Sequence, residues 1–335
     1  MSPREYDESD ARIRPSRTTR RRTKDRPSHS DSITAFVTTV DRGRTTCVTD
    51  AGVVVTAMKA RDLGPKSVVV GDFVELVGDV SGSEGSLARI VSVNERSNSL
   101  SRTVDDAARV ERTIVANIDQ LLIVVASANP EPRRGLIDRF LVSAFHESIK
   151  PIILVTKVDL SPVPEFIKEY AALGVDIMTT SSKSENRTND IEKILEILDE
   201  KISVLVGHSG VGKSTLINDL VPEAERMTGD VNDVTGRGRH TSSSAIALPL
   251  TNGGWIIDTP GIRAFGLSHL NKDRVIESFP DISEVIQRCM PNCSHHEASC
   301  ALNGWIESDA SLREERLTRV TSLRSLLEVK PIADE

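Results

Sequence analysis

The stretch GHSGVGKST at 207–215 decides the fold of the central part of this 335-residue chain. It matches the pattern GxxxxGK[ST], whose glycines let backbone amides wrap around phosphate groups. An apolar segment, ISVLV, precedes it, and a helical segment, STLINDLV, overlaps its end, which is the strand–loop–helix context that the pattern requires. We therefore predict a phosphate-binding loop formed by Gly207, His208, Ser209, Gly210, Val211, Gly212, Lys213, Ser214 and Thr215. Lys213 is expected to reach the β- and γ-phosphates of a nucleotide, and Ser214 to bind Mg²⁺.

The tetrapeptide DTPG at 258–261 ends a second apolar segment, WIID. Asp258 is placed to hold Mg²⁺ through water, and the Gly261 amide to meet a γ-phosphate. The same four letters also make a good turn. Their position one strand after the predicted phosphate-binding helix favours the nucleotide interpretation.

Two further motifs precede the phosphate-binding loop and suit a guanine site. In TKVD at 156–159, Asp159 would accept hydrogen bonds from guanine N1 and N2, and Lys157 would pack along the base. Sites of this kind discriminate strongly against a base that lacks the donor pair. Thr156 stands where asparagine is usual and offers only a hydroxyl group. In SSK at 181–183, the backbone of Ser181, Ser182 and Lys183 would meet guanine O6, although such a tripeptide also suits a surface loop.

The polar, glycine-containing loop TGRGRHTSSS separates the phosphate-binding loop from DTPG. Thr241 would complete the Mg²⁺ shell when a γ-phosphate is present, with Ser242 as the rival. Ile262 follows DTPG and cannot orient a water molecule. His240 is our candidate for that task, against the alternative that it is an ordinary loop residue. The loop's two arginines, Arg237 and Arg239, would contact RNA or stabilise charge.

Along the chain, the two motifs predicted to bind the base come first. The phosphate-binding loop, the loop that contains Thr241 and the DTPG motif follow in that order. Cutting a GTPase sheet after its phosphate-loop half and rejoining the ends produces this order. Chain termini in such domains lie at the surface, where permutation is tolerated. We therefore predict an α/β GTPase domain that is circularly permuted, with a hairpin at the edge of its parallel sheet near 245–258.

The remaining segments predict two more domains. Residues 33–94 contain five short β-rich segments separated by turn signals, which indicate a small closed barrel of OB-like or SH3-like type. Such barrels often bind oligonucleotides. The alternative is that this barrel only packs against the neighbouring domain and binds no nucleic acid. Residues 101–113 are interpreted as a linker. The chain beyond 270 is expected to be mostly helical.

The cluster CMPNCSHHEASC provides three cysteines and a histidine, a set that suits tetrahedral zinc. The predicted ligands are Cys289, Cys293, His295 and Cys300, with His296 as an alternative to His295. The alternative to a zinc site is that the three cysteines are buried free thiols beside an exposed pair of histidines.

Composition limits the remaining possibilities. The net charge of −7 excludes a globally basic nucleic-acid binder, yet residues 12–26 carry a basic run that would either contact phosphates or act as a solubilising tail. The longest apolar run, at 121–128, is shorter than the about 18 residues of a membrane span. With no secretory signal and no even disulfide set, we expect a cytoplasmic protein, and nothing in the sequence demands more than a monomer.

Together these motifs resemble the RsgA/YjeQ family of circularly permuted GTPases, over about residues 33–325. The resemblance includes RSNSLSR at 96–102, ANIDQLLIVVA at 116–126, LIDRFL at 136–141, GRGRHTS and DTPGIR. It implies an OB-fold barrel, a GTPase core and a zinc-binding helical domain. With His295 as ligand, the first and last spacers of the cluster, between Cys289 and Cys293 and between His295 and Cys300, are each one residue shorter than in the family pattern.

The resemblance also implies binding to the small ribosomal subunit and its rRNA, late maturation of that subunit, and GTP hydrolysis that the subunit stimulates. The corresponding domains are a disordered arm at 1–31, the barrel at 32–100, the linker at 101–113, the GTPase domain at 114–270 and the zinc domain at 271–335. GTP or GDP, Mg²⁺ and one Zn²⁺ are the expected ligands. An RNA-binding scaffold with a regulatory nucleotide site and a P-loop ATPase are the alternatives.

Overall fold

The computed structural model describes residues 31–41, 43–64, 67–105, 110–222, 245–259 and 271–328, with the backbone alone for 103–105 and 110–111. The strands are β1 (Ile33–Asp41), β2 (Arg44–Thr49), β3 (Val54–Lys59), β4 (Phe73–Gly78), β5 (Ala88–Val93), β6 (Ser99–Asp105), β7 (Val110–Ala116), β8 (Gln120–Ala126), β9 (Lys150–Thr156), β10 (Asp176–Thr179), β11 (Ile202–Val206), β12 (Ile246–Pro249) and β13 (Trp255–Asp258). The helices are α1 (Arg134–His146), α2 (Glu165–Lys168), a 3-10 helix (Glu169–Leu173), α3 (Arg187–Leu198), α4 (Lys213–Leu220), α5 (Lys272–Glu277), α6 (Pro280–Ile286), α7 (Ala301–Glu307) and α8 (Arg313–Leu327). Among these described helices, none is both long and apolar enough to cross a membrane.

Strands β1 to β5 close into a five-stranded barrel. Strand β1 pairs with β2 on one side and with β4 on the other, and the ring is completed by β2–β3, β3–β5 and β5–β4 pairs. Only the β3–β5 pair is parallel. Apolar residues that alternate along the strands fill the barrel, including Val37, Val55, Leu76 and Ile90 at 0% exposure. The OB-like prediction is confirmed, and this strand order also decides against the SH3-like alternative.

The barrel strands belong to one large, 11-stranded sheet. The other six strands of this sheet have the order β10–β9–β8–β11–β13–β12. All neighbours are parallel except β12 and β13, which form the predicted hairpin. Strand β11, which leads into the phosphate-binding loop, lies in the middle of the sheet although it comes late in the chain. The circular permutation predicted from motif order therefore corresponds to an ordinary parallel sheet with its connections rearranged.

Strand β8 shows why this sheet is stable, because all seven of its residues are buried. Leu121, Ile123 and Val125 face a core shared with α1 and the C-terminal helices. Leu122, Val124 and Ala126 face a second core with α3 and α4. Successive side chains of a strand point to opposite faces, so an unbroken apolar run is what a sheet covered on both sides requires.

Two features differ from the sequence interpretation. Much of the segment 101–113, interpreted above as a linker, lies in β6 and β7, which pair antiparallel as a separate two-stranded sheet. The hairpin β12–β13 does not end the large sheet, since Thr39 of β1 pairs with Ile246 of β12. The barrel and the parallel part of the sheet are therefore hydrogen-bonded to each other. The other domain boundaries remain predictions.

A buried ion pair lies where the barrel meets the segment leading into β6. Asp72 is fully buried, and its carboxylate accepts hydrogen bonds from Arg96 Nε at 2.7 Å and Arg96 Nη2 at 2.9 Å. The Val69 amide donates to the same carboxylate at 2.8 Å. Gly71 lies so close to Ala116 that a Cβ at this position would be 2.2 Å from the Ala116 carbonyl oxygen. Arg96, the first residue of the polar motif at 96–102, therefore has a structural task at this junction.

The C-terminal helices pack against α1 and the 3-10 helix. The Phe279 ring contacts Phe145 edge-on, with 4.8 Å between ring centroids. Arg319 of α8 donates from Nε and Nη2 to Asp281, both at 2.9 Å, and from Nη1 to the carbonyl of Ala172. The helical module is thus attached to the half of the GTPase domain that precedes the phosphate-binding loop.

Candidate nucleotide site and metal centre

The phosphate-binding loop connects the centre of the sheet to α4. Gly207 follows β11 with φ of +145°, and a Cβ there would lie 2.2 Å from the Val124 carbonyl oxygen, so this position admits only glycine. Lys213 begins α4, and its Nζ donates to the carbonyls of Gly207 at 2.7 Å and His208 at 3.1 Å. The ammonium group therefore lies across the mouth of the loop. Ser214 and Thr215, at the exposed start of α4, are open to a ligand.

Asp258 ends β13, the strand next to β11, and its charge acts on Lys213. Burial lowers the pKa of Lys213, and the Asp258 carboxylate partly opposes that change. Burial likewise raises the pKa of Asp258, against the opposing effects of Lys213 and of a backbone hydrogen bond with Thr259. One partly desolvated group at the start of α4 and another of opposite charge at the end of β13 are an arrangement that a phosphate–Mg²⁺ ligand would complete.

The TKVD motif lies beside the phosphate-binding loop, as a guanine site requires. The Thr156 hydroxyl is 2.6 Å from the carbonyl oxygen of Val211, although the two residues are 55 positions apart in the chain. It is also 3.2 Å from the Val125 carbonyl oxygen. Lys157 Nζ donates to the Gly210 carbonyl at 2.8 Å and to the carbonyl of Asn129. The base-side turn and the phosphate loop are in direct contact.

Asp159 and the SSK motif form the other side of the expected base pocket. The Ser181 hydroxyl donates to Asp159 Oδ1, and this bond is the main reason why the pKa of Asp159 is below its ordinary value. Ser181 itself is buried, and its oxygen also accepts from the Lys183 amide at 3.1 Å. Ser182 and Lys183 are exposed. Asp159 is therefore held in its ionised form, which is the form that can accept from a guanine donor pair.

The predicted hydrolytic and switch residues lie outside the described part of the chain. These are His240, Thr241 and Gly261, together with Ser242, Arg237, Arg239 and Ile262. The basic run at 12–26 is also outside it. Their roles remain predictions.

The described residues fit a nucleotide with its Mg²⁺. The Ser214 hydroxyl and the Asp258 carboxylate are hard oxygen donors of the kind that Mg²⁺ takes alongside phosphate oxygens. Gly207 brings the loop backbone directly against β8, since a Cβ there would be 2.2 Å from the Val124 carbonyl oxygen, and the backbone amides of such a loop can bind phosphate.

The four predicted metal ligands meet in the C-terminal module. The ligand atoms of Cys289, Cys293, His295 and Cys300 all lie within 4.8 Å of one another. Cys289 Sγ is 3.8 Å from Cys300 Sγ and 3.8 Å from His295 Nδ1, and Cys300 Sγ is 4.0 Å from that nitrogen. A tetrahedron with zinc–sulfur bonds of about 2.3 Å has sulfur–sulfur edges of about 3.8 Å. The cluster has the dimensions of such a site.

The surroundings of the cluster hold the histidine in place. Arg324 of α8 donates from Nε to the His295 carbonyl at 2.7 Å and from Nη2 to Asn303 at 2.8 Å. His295 and Asn292 both have positive φ, 68° and 62°, which turns the loop back on itself. His296 instead lies near Glu328, with 3.6 Å between Nδ1 and Oε1. Of the two candidate histidines, the structure brings His295 into the cluster.

Sequence reasoning missed several residues around these sites. Ser127 donates from its hydroxyl to the Lys157 carbonyl at 2.6 Å and so supports the TKVD turn. Glu297 accepts from Cys293 Sγ at 2.8 Å and from the Ser294 amide at 3.0 Å. Neither residue belongs to a recognisable motif. The position of Ser127 directly after β8 and that of Glu297 inside the cysteine cluster were the only features of the sequence that could have indicated these roles.

Comparison with known proteins gives one consistent result. A family model described as RsgA GTPase matches residues 93–268. A protein named small ribosomal subunit biogenesis GTPase RsgA from Streptococcus pyogenes serotype M3 is 35% identical over 245 residues, which cover 71% of this chain and 76% of the relative. The protein of the same name from Shewanella oneidensis is 37% identical over 260 residues, covering 75% of this chain and 72% of the relative.

Solved structures agree with the architecture. The crystal structure of YjeQ from Thermotoga maritima matches with a TM-score of 0.60 and 26% identity, over 89% of this chain and 100% of that chain. A structure described as YloQ, a circularly permuted GTPase, matches with a TM-score of 0.62 over 92% of this chain and 99% of that chain. At 23% identity, the second likeness supports the fold alone.

Proposed function

Because this chain belongs to the RsgA GTPase family, we propose that it hydrolyses GTP to GDP and phosphate and takes part in the late maturation of the small ribosomal subunit. One observation carries this proposal. The TKVD turn and the phosphate-binding loop, far apart in the chain, are joined by the bond from Thr156 to the Val211 carbonyl. A base-side element and a phosphate-side element at this spacing form one nucleotide site.

In the proposed site, each described residue has a chemical task. Asp159, held by Ser181, accepts from the guanine base, and Lys157 packs along it. The backbone of Ser182 and Lys183 meets guanine O6. The amides of the loop and Lys213 bind the phosphates.

Mg²⁺ is the proposed metal of the nucleotide site. Ser214 and Asp258 would hold it, joined by Thr241 from the segment that follows the loop. When bound, the ion neutralises charge on the β- and γ-phosphates during transfer of the terminal phosphoryl group. Asp258 contributes in its ionised form, and burial makes that form less stable than usual.

Hydrolysis is proposed to be slow until a partner orders the loop before β12. Ile262, in the position after DTPG, has no polar group with which to orient water. His240 is the proposed substitute, since an imidazole can accept a proton from water or orient it. The small ribosomal subunit is the proposed activator.

The metal cluster is proposed to hold one zinc ion with a structural task. Four protein ligands leave no open position for a substrate, which is typical of structural zinc. The ion would tie the loop before α7 to the C-terminal helices and add to the stability of the module. The barrel, this module and the basic run at 12–26 are the proposed contacts to rRNA. We further propose that the protein acts as a monomer in the cytoplasm, with the domains bounded as predicted except for the segment 101–113, much of which lies in β6 and β7.

GTP hydrolysis by the purified full chain tests the proposal. Phosphate release is measured for the chain alone and with small ribosomal subunits, with ATP in parallel and Lys213→Ala as the inactive control. We expect strong stimulation with GTP only, reduced by His240→Ala. GTP binding without hydrolysis under any condition would instead favour an RNA-binding scaffold, and equal use of ATP would favour a P-loop ATPase.

A further inference from the structure

A groove of about 630 Å³ lies on the outer face of the barrel, lined by the end of β3, the turn after it and the start of β5. Ala57 and Ala88 pair with each other and are buried in the barrel, so the side chains next to them along each strand point outward. Met58 and Leu87 are among these and are 45% and 44% exposed. The groove therefore presents two large apolar side chains to solvent.

Exposed apolar side chains are concentrated on the barrel. In the described part of the chain, nine large hydrophobic residues are exposed, and five of them belong to the barrel: Ile33, Val54, Met58, Phe73 and Leu87. Val54 and Met58 lie on the same outward face of β3. Single exposed hydrophobic residues are ordinary, but several on one face indicate a contact surface.

Two arginines border the apolar part of the groove. Arg61 lies in the turn after β3, and Arg89 lies in β5, paired in register with Met58. Both are exposed, and neither guanidinium group has a hydrogen-bond or ion-pair partner among the residues that the structure describes. Lys59 adds a third positive charge and Asp62 one negative charge. The groove is thus net positive on a chain whose net charge is −7.

The chemistry of the groove favours a protein segment over a nucleic acid. Aromatic side chains are what usually hold unstacked bases, and none of the described residues that line the groove is aromatic. The carboxylate of Asp62 would also repel phosphate groups. A methionine side chain adapts to apolar groups of different shape, and the guanidinium fork of an arginine matches the two oxygens of a carboxylate.

We propose that this groove is a docking site for an extended, acidic segment of a partner protein. One apolar side chain of the segment packs on Met58 and Leu87, and carboxylates on either side of it bind Arg61 and Arg89. The site is separate from the nucleotide site and the metal cluster, and the rest of the barrel surface stays available for the rRNA contact proposed above.

Methyl NMR of the full chain observes the groove directly. The chain has five methionines, so ¹³C-methyl labelling of methionine gives few signals, and the Met58→Leu variant assigns the one from the groove. Met290, which follows Cys289 and is 72% exposed, is the internal control. The probe is the capped peptide Glu-Glu-Leu-Glu-Glu. The comparison ligands are Glu-Glu-Ser-Glu-Glu, Lys-Lys-Leu-Lys-Lys and an oligouridylate of equal length.

We expect the acidic leucine peptide to shift the Met58 signal in a saturable manner and to leave the Met290 signal unchanged. The serine peptide should bind more weakly, and the lysine peptide and the oligouridylate should cause no shift. Arg61→Ala and Arg89→Ala should each weaken binding about threefold, and the double variant about tenfold, because exposed ion pairs contribute modestly. Arg44→Ala removes an exposed arginine of β2 outside the groove and should bind like the wild type.

An unchanged Met58 signal at millimolar leucine peptide would overturn the proposal. Equal shifts with the oligouridylate would do so as well, since they would identify a nucleic-acid surface, and equal shifts with the lysine peptide would exclude a role for the arginines. A Met58 shift on raising the protein concentration alone would identify a contact between two copies of the chain instead. An equal loss of affinity in Arg44→Ala would reduce the effect to the general charge of the barrel. The Met178 signal, from β10, shows that each variant is folded.

Discussion

Replacing Arg96 with alanine tests the buried ion pair where the barrel meets the segment leading into β6. The Asp72 side chain is 0% exposed and the Arg96 side chain 27% exposed, and two guanidinium nitrogens bind the two carboxylate oxygens. In Arg96→Ala, the Val69 amide is the partner that the carboxylate keeps. A buried carboxylate would then have lost its counter-charge.

The expected loss follows from burial. Removing one partner of a fully buried ion pair costs about 3–5 kcal/mol, because the remaining charge stays desolvated. Water can enter from the partly exposed side of Arg96, so we expect a smaller loss, about 2–4 kcal/mol. Lys150→Ala is the matched control: its pair with Asp176 is 55% and 51% exposed, and such pairs contribute at most about 1 kcal/mol.

Urea unfolding followed by tryptophan fluorescence measures the difference. The chain has two tryptophans, and Trp255 stacks on Phe36 of the barrel with 4.8 Å between ring centroids. In a Trp305→Phe background, the fluorescence change therefore reports on the contact between barrel and sheet. A loss for Arg96→Ala no larger than that for Lys150→Ala would refute the reasoning, because it would mean that the buried charge finds other partners.

Three further predictions concern the sites and the C-terminal module. Asp159→Asn should reduce the preference for GTP over ATP by about a hundredfold or more, since the acceptor for the guanine donor pair is lost; competition binding with both nucleotides measures it. Cys300→Ser should remove the bound metal and lower the melting temperature, and metal analysis of the purified protein together with thermal unfolding would contradict this if zinc remained at one equivalent. For Asp281, burial raises the pKa, but the hydrogen bonds and charge of Arg319 outweigh it and keep the pKa below its ordinary value. Asp281→Asn should therefore cost up to about 1 kcal/mol at pH 7, and the difference from wild type should shrink below about pH 4 as the native carboxylate is protonated; an effect independent of pH would contradict this.

Local patterns were sufficient to predict most of the architecture. The apolar runs at 120–126 and 202–206 predict buried parallel strands, which are short apolar runs between polar turns, and the bounds of β8 and β11 agree with them. The amphipathic pattern at 163–173 predicts one helix. In the structure the helical segment begins after Pro164 and ends before Gly174, as expected for these two residue types, but it is divided into α2 and a 3-10 helix.

Contacts between distant segments could not be predicted in the same way. The β1–β12 pairing, the Arg96–Asp72 pair and the bond from Thr156 to the loop each depend on how separate elements are arranged in space. The choice between His295 and His296 is similar. Spacing permits either histidine, and the choice depends on a backbone turn with positive φ at Asn292 and His295 that side-chain type does not reveal.

The pairing of β1 with β12 has a practical consequence for experiments that divide the molecule. Strand β12 is only four residues long, and β1 occupies its outer hydrogen-bonding side through the Thr39–Ile246 pair, while Phe36 covers Trp255. Deleting the barrel would leave unpaired backbone groups and an uncovered indole, the combination that promotes aggregation of sheet proteins. Poor solubility of a barrel-less chain would therefore report on this lost cover, and point substitutions on the barrel surface are the better means of testing what the barrel binds.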